Sequence, residues 1–599
     1  MKRLLLYLFF FAFTLHLSGQ EEKKIVILHT NDLHSRLNGF SPEAEYTPSS
    51  PGDDETRGGF ARIAAILRTE KRNNPGITLT VDAGDFLMGT LFHAMELKTG
   101  FQLRLMKQMG YDIVCLGNHE FDFGPAKTAG IINSSLAKGE IPSLLLSNAV
   151  LSAEESGDDE LEKLYDSKVV LRKFILERDG LKIGFFSLLG KNAVEVAPLA
   201  KPVSFAKQVP FARKMVRELK KDGCDIVICL SHSGVSRDKK GNWAGEDIRL
   251  AKKVRGIDVI VSGHSHSKIS EPVIIKGVPV VQTGEYGQNV GRLELVWKNG
   301  SVSVRDYRLI PVDDSIAGES DIIAAVEEQQ SLVTQEILAP LGLSYSDPVA
   351  ETDFLLECNE QGDFRSSNLG PMIADAIHSY VNRHSSDGCD IGMVAVGVIR
   401  DWMVPGVMTA PDVFRIMSLG SGDDDLPGYP LARLYVTGKE LKNILEILMI
   451  AHKSSSSNHC FYSGLRVSYD PGRMLFRKIN SIEILGVNGE TRDVSFSKDD
   501  TTLYSISANS YMLEFIGIIK KMSFGLIKVL PKDVSGNPVT DMKRAVIDMD
   551  EEQPGVQEGK EWLALLEYIR SMKDIDNNQI PDIDRKYSVP VKAFIEEKR

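Results

Sequence analysis

The sequence lacks the marks of several common classes. Its 599 residues hold only six cysteines, and no two of them form a CxxC pair. Cys115 and Cys229 sit inside apolar strand-like runs, where a free buried thiol is the default, so no disulfide is assigned. There is no long basic run, and the net charge is −12. That balance argues against a nucleic acid polymer as partner and leaves small anions open, which local cations and metals can bind. There is no internal repeat and no low-complexity tract. Beyond the N-terminus, no segment is long and apolar enough to span a membrane.

What is present begins with Met1-Lys2-Arg3, an apolar run from Leu4 to about Leu17, and then Ser18-Gly19-Gln20 before charged residues. A basic start, a short apolar stretch and small residues predict a secretory signal peptide over 1–19. The run is short for a membrane anchor. No cysteine follows it to carry a lipid. The expected mature protein is periplasmic or secreted, with no stable membrane insertion.

Short apolar strands then alternate with helical periodicity, which predicts an α/β layered domain. Strand-like runs at Ile25–Leu28, Ile77–Val81, Asp112–Leu116, Asp225–Leu230 and Ile257–Val261 each end in polar residues. Open α/β sheets place ligands at such C-terminal strand ends. The pattern changes near Val312. The expected division is a first domain over 25–312, a connecting helix and linker over 313–343 with the helix at Asp321–Leu338, and a mixed α/β domain over 344–599.

The strand ends collect Asp32, His34, Asp85, Asn118, His119, Asp122, His232, His264 and His266. Carboxylate and imidazole donors without thiolate suit Zn, Mn, Fe or Ni. An Asp-x-His pair on an extended segment directs both side chains one way. So many donors exceed one zinc site and match two metals sharing a carboxylate, an arrangement that clamps phosphoryl oxygens. One strand-end histidine alone is more often structural; four converging with two aspartates are hard to explain that way. Asp82 is assigned to its turn.

The stretches Ile27-Leu28-His29-Thr30-Asn31-Asp32-Leu33-His34, Asp82-Ala83-Gly84-Asp85, Gly117-Asn118-His119-Glu120-Phe121-Asp122, His232-Ser233 and Gly263-His264-Ser265-His266 resemble the calcineurin-like metallophosphoesterase signature. With Gly89-Thr90-Leu91-Phe92 and Gln282-Thr283-Gly284-Glu285-Tyr286-Gly287, they resemble more narrowly the exported 5′-nucleotidase/UDP-sugar hydrolase/2′,3′-cyclic phosphodiesterase family. The resemblance implies a four-layer sandwich joined by a helix to a 5′-nucleotidase-type substrate domain. It implies two divalent ions, Zn, Mn or similar. Asp32, His34, Asp85 and His266 would hold the first. Asp85, Asn118, His232 and His264 would hold the second, with Asp85 bridging. His119 and Asp122 would be the catalytic pair, and a metal-held hydroxide the nucleophile.

The second half resembles the family in Arg365-Ser366-Ser367-Asn368, Val436-Thr437-Gly438-Lys439 and Ser507-Ala508-Asn509-Ser510-Tyr511. The family's Asn-x-Gly-Gly-Ile-Arg motif appears as Ala395-Val396-Gly397-Val398-Ile399-Arg400, which keeps the arginine alone of its polar groups. Arg400 is therefore the expected substrate-anion contact. Phe461 or Tyr462 is the expected base-stacking aromatic; a second is not assignable near Phe515–Phe524. The implied activity is phosphoric ester hydrolysis on a small-molecule ester, a nucleotide, in nucleotide catabolism. Two alternatives stay open: the same chemistry on a non-nucleotide phosphate or cyclic phosphodiester, or a catalytically silent ligand-binding homologue.

Overall fold

The computed structural model describes residues 22–597 apart from 359–365, 425, 452–455, 475, 487–488 and 515–528. The expected signal peptide over 1–19, Arg365 and the Phe515–Phe524 stretch lie outside the described residues.

The strand Lys23–Thr30 shows how the first half is built. Its residues from Ile25 onward are buried on both faces. Alternate side chains point to opposite sides of a strand, so Ile25 and Ile27 enter one core while Val26 and Leu28 enter another. This strand pairs in parallel with Ile77–Asp82 and antiparallel with Asn289–Lys298. It belongs to a seven-stranded sheet that continues through Ile113–Cys115 and Ser143–Leu145. A second, six-stranded sheet holds Leu181–Leu189, Ile226–His232, Val259–Ser262 and Val278–Val281 in parallel.

The two sheets face each other across Ile27, Leu79 and Val81 on one side and Phe185, Ile228 and Val261 on the other. Helices Phe60–Asn73, Phe101–Met109 and Pro125–Lys138 cover the first sheet's outer face. Helices Gln208–Lys221 and Glu246–Lys253 cover the second's. The result is the expected four-layer sandwich. Both sheets present the C-terminal ends of their parallel strands at one edge, because each β-helix-β crossover returns the chain in the same direction.

The connecting helix runs over Ser320–Val333 and widens into a π turn at Thr334–Leu338, so the regular helix is shorter than the expected Asp321–Leu338. Pro340 comes just after; it has no N–H to donate and its ring crowds the preceding turn. The second half carries a four-stranded sheet of Leu431–Thr437, Leu503–Asn509, Ile391–Ala395 and Cys460–Ser463. Helices Leu369–His384 and Glu561–Arg570 pack in the same core, which is continuous with the helical layer of the first sheet. All six cysteines are buried thiols.

Candidate active site between the two halves

Each expected ligand sits at or just past a strand end, His232 as the last strand residue and the others where the backbone leaves the sheet and turns its side chains inward. Five of them do so in the left-handed region: Asp32 (φ 51°), His34 (50°), Asp85 (57°), His264 (77°) and His266 (51°). Each such residue costs roughly 1–3 kcal/mol unless its surroundings hold it there. The surroundings are tight. A Cβ on Gly117 would lie 2.3 Å from Asp85 Oδ1.

Two groups of potential ligands form. In the first, ligand atoms of Asp32, His34 and His266 lie within 4.8 Å of one another. In the second, those of Asp85, His232 and His264 do the same. His232 Nε2 lies 2.9 Å from Asp85 Oδ2 and 3.1 Å from Asn118 Oδ1, which brings Asn118 into the second group. Asn118 therefore does not act as a helix cap through its side chain. The charge of Asp85 is felt at Asp32 and His34 in the neighbouring group.

The rings are held from behind. His232 Nδ1 is 2.8 Å from the Ala83 carbonyl, and His264 Nε2 is 3.0 Å from Asn192 Oδ1. His266 Nδ1 bonds the Glu285 carboxylate. An acceptor at one ring nitrogen fixes the proton there and leaves a lone pair on the other. In the first group this produces a specific conflict. His266 Nε2 and His34 Nε2 face each other at 3.1 Å. With Nδ1 of His266 donating to Glu285, two lone pairs meet unless a proton or a cation lies between them. A divalent cation among Asp32, His34 and His266 satisfies all three, so the residues present fit a metal ion.

His119 and Asp122 stand at the same edge, with Nδ1 to Oδ2 2.6 Å, and the His119 N–H donates to Asp85 Oδ1 at 2.8 Å. Burial alone would favour the neutral ring; the charges of Asp122 and Asp85 outweigh it and raise the His119 pKa to about 9. Asp82 is confined to its turn. It accepts from Thr30 Oγ1 at 2.6 Å and from the Gly84 N–H at 2.9 Å.

The chain matches the calcineurin-like phosphoesterase family over residues 25–268 and the 5′-nucleotidase C-terminal domain over 348–517. It is 26% identical over 494 residues to a snake venom 5′-nucleotidase of Gloydius brevicauda, covering 77% of this chain and 76% of that protein. It is 25% identical to an apyrase of Anopheles gambiae, covering 86% and 85%. The crystal structure of a 5′-nucleotidase precursor from Thermus thermophilus superposes with a TM-score of 0.65 at 21% identity, over 94% of this chain and all of that one. The chain is a calcineurin-like phosphoesterase with a 5′-nucleotidase C-terminal domain. It is a metal-dependent phosphoric ester hydrolase.

In this phosphoesterase a cavity of about 610 Å³ joins the two halves. Asp85, Asn118, His119, Asp122, His264 and His266 line one end, and Arg400 lines it from the second half. The Arg400 carbonyl accepts from Tyr286 Oη at 3.1 Å, and its charge is felt at His34, His119 and His266. Neighbouring Asp401 is engaged by Arg36 and Arg415.

Phe461 is a correction. It does not line the cavity. It is 7% exposed, lies against Gly370 and meets His459 edge-on. In the strand Cys460–Ser463 alternate residues face opposite ways, and it is Cys460 that lines the cavity. Tyr462 is not a lining residue either and packs on Phe594. Among the described residues, the aromatics that line it are Tyr429 and Tyr511, stacked with centroids 5.3 Å apart at 12°.

Sequence reasoning assigned no role to Glu120, Asn31 or Glu285. The Glu120 carboxylate accepts from the N–H groups of Gly117 (2.5 Å), Asp85 (3.1 Å) and Leu87 (2.9 Å), tying two ligand loops together. Asn31 donates to Asp32 Oδ2 at 2.6 Å and accepts from the Thr283 N–H at 2.9 Å. For Glu120 and Asn31 the available signal was adjacency to ligands, and for Glu285 it was membership of the Gln282–Gly287 stretch, since each role depends on where a distant loop arrives.

Proposed function

We propose that the protein is an exported two-metal phosphoric ester hydrolase acting on nucleotides. The observation that carries this is the pair of ligand groups at one sheet edge with His119–Asp122 beside them. Asp32, His34 and His266 would hold one ion; Asp85, Asn118, His232 and His264 would hold the other, with Asp85 turned toward both. Two divalent ions there supply charge neutralisation for a phosphoryl group and an acidified water. His119, oriented at Nδ1 by Asp122, has Nε2 left to carry a proton or meet a phosphoryl oxygen. Arg400 faces the same end of the cavity and grips the substrate anion. The nucleotide class is supported by the names of the relatives. Export rests on the signal-like residues 1–19; among the described residues, no helix is long and apolar enough to cross a membrane. The proposed division is a catalytic domain over 25–312, a connector over 313–343 and a substrate domain from 344.

Purified protein should contain two divalent ions per chain by elemental analysis. It should release phosphate from nucleoside 5′-phosphates, and Asp85→Asn should abolish turnover with little loss of fold. Full-rate hydrolysis after exhaustive chelation would refute the assignment. The same chemistry on a non-nucleotide ester is the second reading, and the aliphatic lining of the cavity, with Met393, Val398, Ile444 and Ile447, favours it.

A further inference from the structure

The cavity is chemically divided. The ligand-bearing end is polar and charged. Among the described residues, the wall from the second half contributes no carboxylate and one cation, Arg400. Beyond Arg400 the wall is mostly aliphatic: Met393, Val398, Ile444, Ile447, Leu448 and Ile506. Met393 and Ile506 stand on sheet strands, and Ile444, Ile447 and Leu448 on the helix Gly438–Ala451. The wall is therefore preformed on rigid elements. Its aromatic pair, Tyr429 on Tyr511, extends the same apolar surface. Among the described residues, the hydrogen-bonding side chains beside it are Ser457, Asn458 and the hydroxyl ends of the two tyrosines, few for a ligand rich in hydroxyls and ring nitrogens.

Affinity on such a wall tracks the apolar surface removed from water, not a donor–acceptor pattern. A buried polar group without a partner lowers affinity there. We propose a further activity: hydrolysis of phosphate monoesters whose leaving alcohol is an apolar alkyl or aryl group, bound on this wall with the phosphoryl end at the ligand groups. In this reaction the ester P–O bond breaks and water oxygen forms the new P–O bond. The proton from water ends on the departing oxygen, giving the free alcohol and inorganic phosphate. The proposal rests on the hydrolase reading for its chemistry, while the leaving-group subsite stands on the wall alone.

Binding of n-alkylphosphonates to the metal-loaded full chain, measured by calorimetry, separates the two. These ligands carry the phosphoryl head and cannot be hydrolysed. From methyl to hexyl, Kd should tighten about fourfold per methylene. The matching alkyl phosphates should rise in kcat/KM by a similar factor. Val398→Thr and Leu448→Gln should each reduce the gain per methylene, and the wild-type series decides by itself if a variant does not fold. A flat phosphonate series overturns the subsite, even where AMP is turned over. A rising phosphonate series with no ester hydrolysed supports the subsite and refutes the hydrolase reading.

Discussion

Arg36, two residues beyond His34, ion-pairs with Asp401 across the junction of the two halves, with Nη1 to Oδ2 2.8 Å. The guanidinium lies against the rings of Phe40 and Tyr286, 4.9 and 4.3 Å from their centroids. Burial by itself would raise the Asp401 carboxyl; Arg36 and Arg415 outweigh it and hold it below the usual range. Removing one partner of a buried pair typically costs about 3–5 kcal/mol, and Arg415 keeps Asp401 partly paired. Arg36→Ala should therefore destabilise by about 3 kcal/mol in denaturant unfolding. A loss under about 1 kcal/mol, the range of exposed pairs, would mean that the pair does not join the halves.

His119 is assigned to the reacting group and not to a metal. His119→Ala should lower kcat by about 10²–10⁴-fold and change KM far less. Metal content, read by elemental analysis, should stay constant. Loss of an ion in this variant would make His119 a ligand.

Arg400 reaches the cavity from the second half, so its role divides by substrate. Arg400→Ala should raise KM for nucleoside monophosphates and leave a small aryl phosphate nearly unaffected. Steady-state kinetics on both substrates reads this directly. Equal effects would make Arg400 structural.

Stability should depend on a buried carboxyl far from the ligands. Glu561 is fully buried at the start of the helix Glu561–Arg570, and burial raises its pKa from 4.5 to about 8 against a 2.7 Å bond from Asn509 Nδ2. The folded state then holds a proton that the unfolded chain has released. The contribution is fully present below about pH 4.5 and is lost as pH rises through about 8. Glu561→Gln, which mimics the protonated form, should flatten the melting temperature between about pH 5 and 9 and gain on the wild type at the alkaline end. Parallel wild-type and variant profiles would place the titration elsewhere.

The candidate donors were readable because their signals are local. An apolar run of strand length followed by Asp-x-His or His-x-His announces a strand end with donors on it, whatever the rest of the chain does. Continuous apolar runs of strand length also mark strands buried on both faces, so the layered fold of the first half could be read from those runs and the family signature.

Tertiary structure decided what depends on distance. Arg36 and Asp401 are 365 positions apart, and nothing near either one predicts the other. Glu120 sits inside a ligand motif and Glu285 in a separate family stretch, yet their work depends on which N–H or ring another loop brings to them. Phe461 failed for a sharper reason. A shift of one residue along a strand moves a side chain to the opposite face, and only the pairing of Cys460–Ser463 with Ile391–Ala395 sets which face meets the cavity. Local residue order specifies donors and periods. The register of sheets, and the wall one half offers the other, come from packing that no short stretch contains.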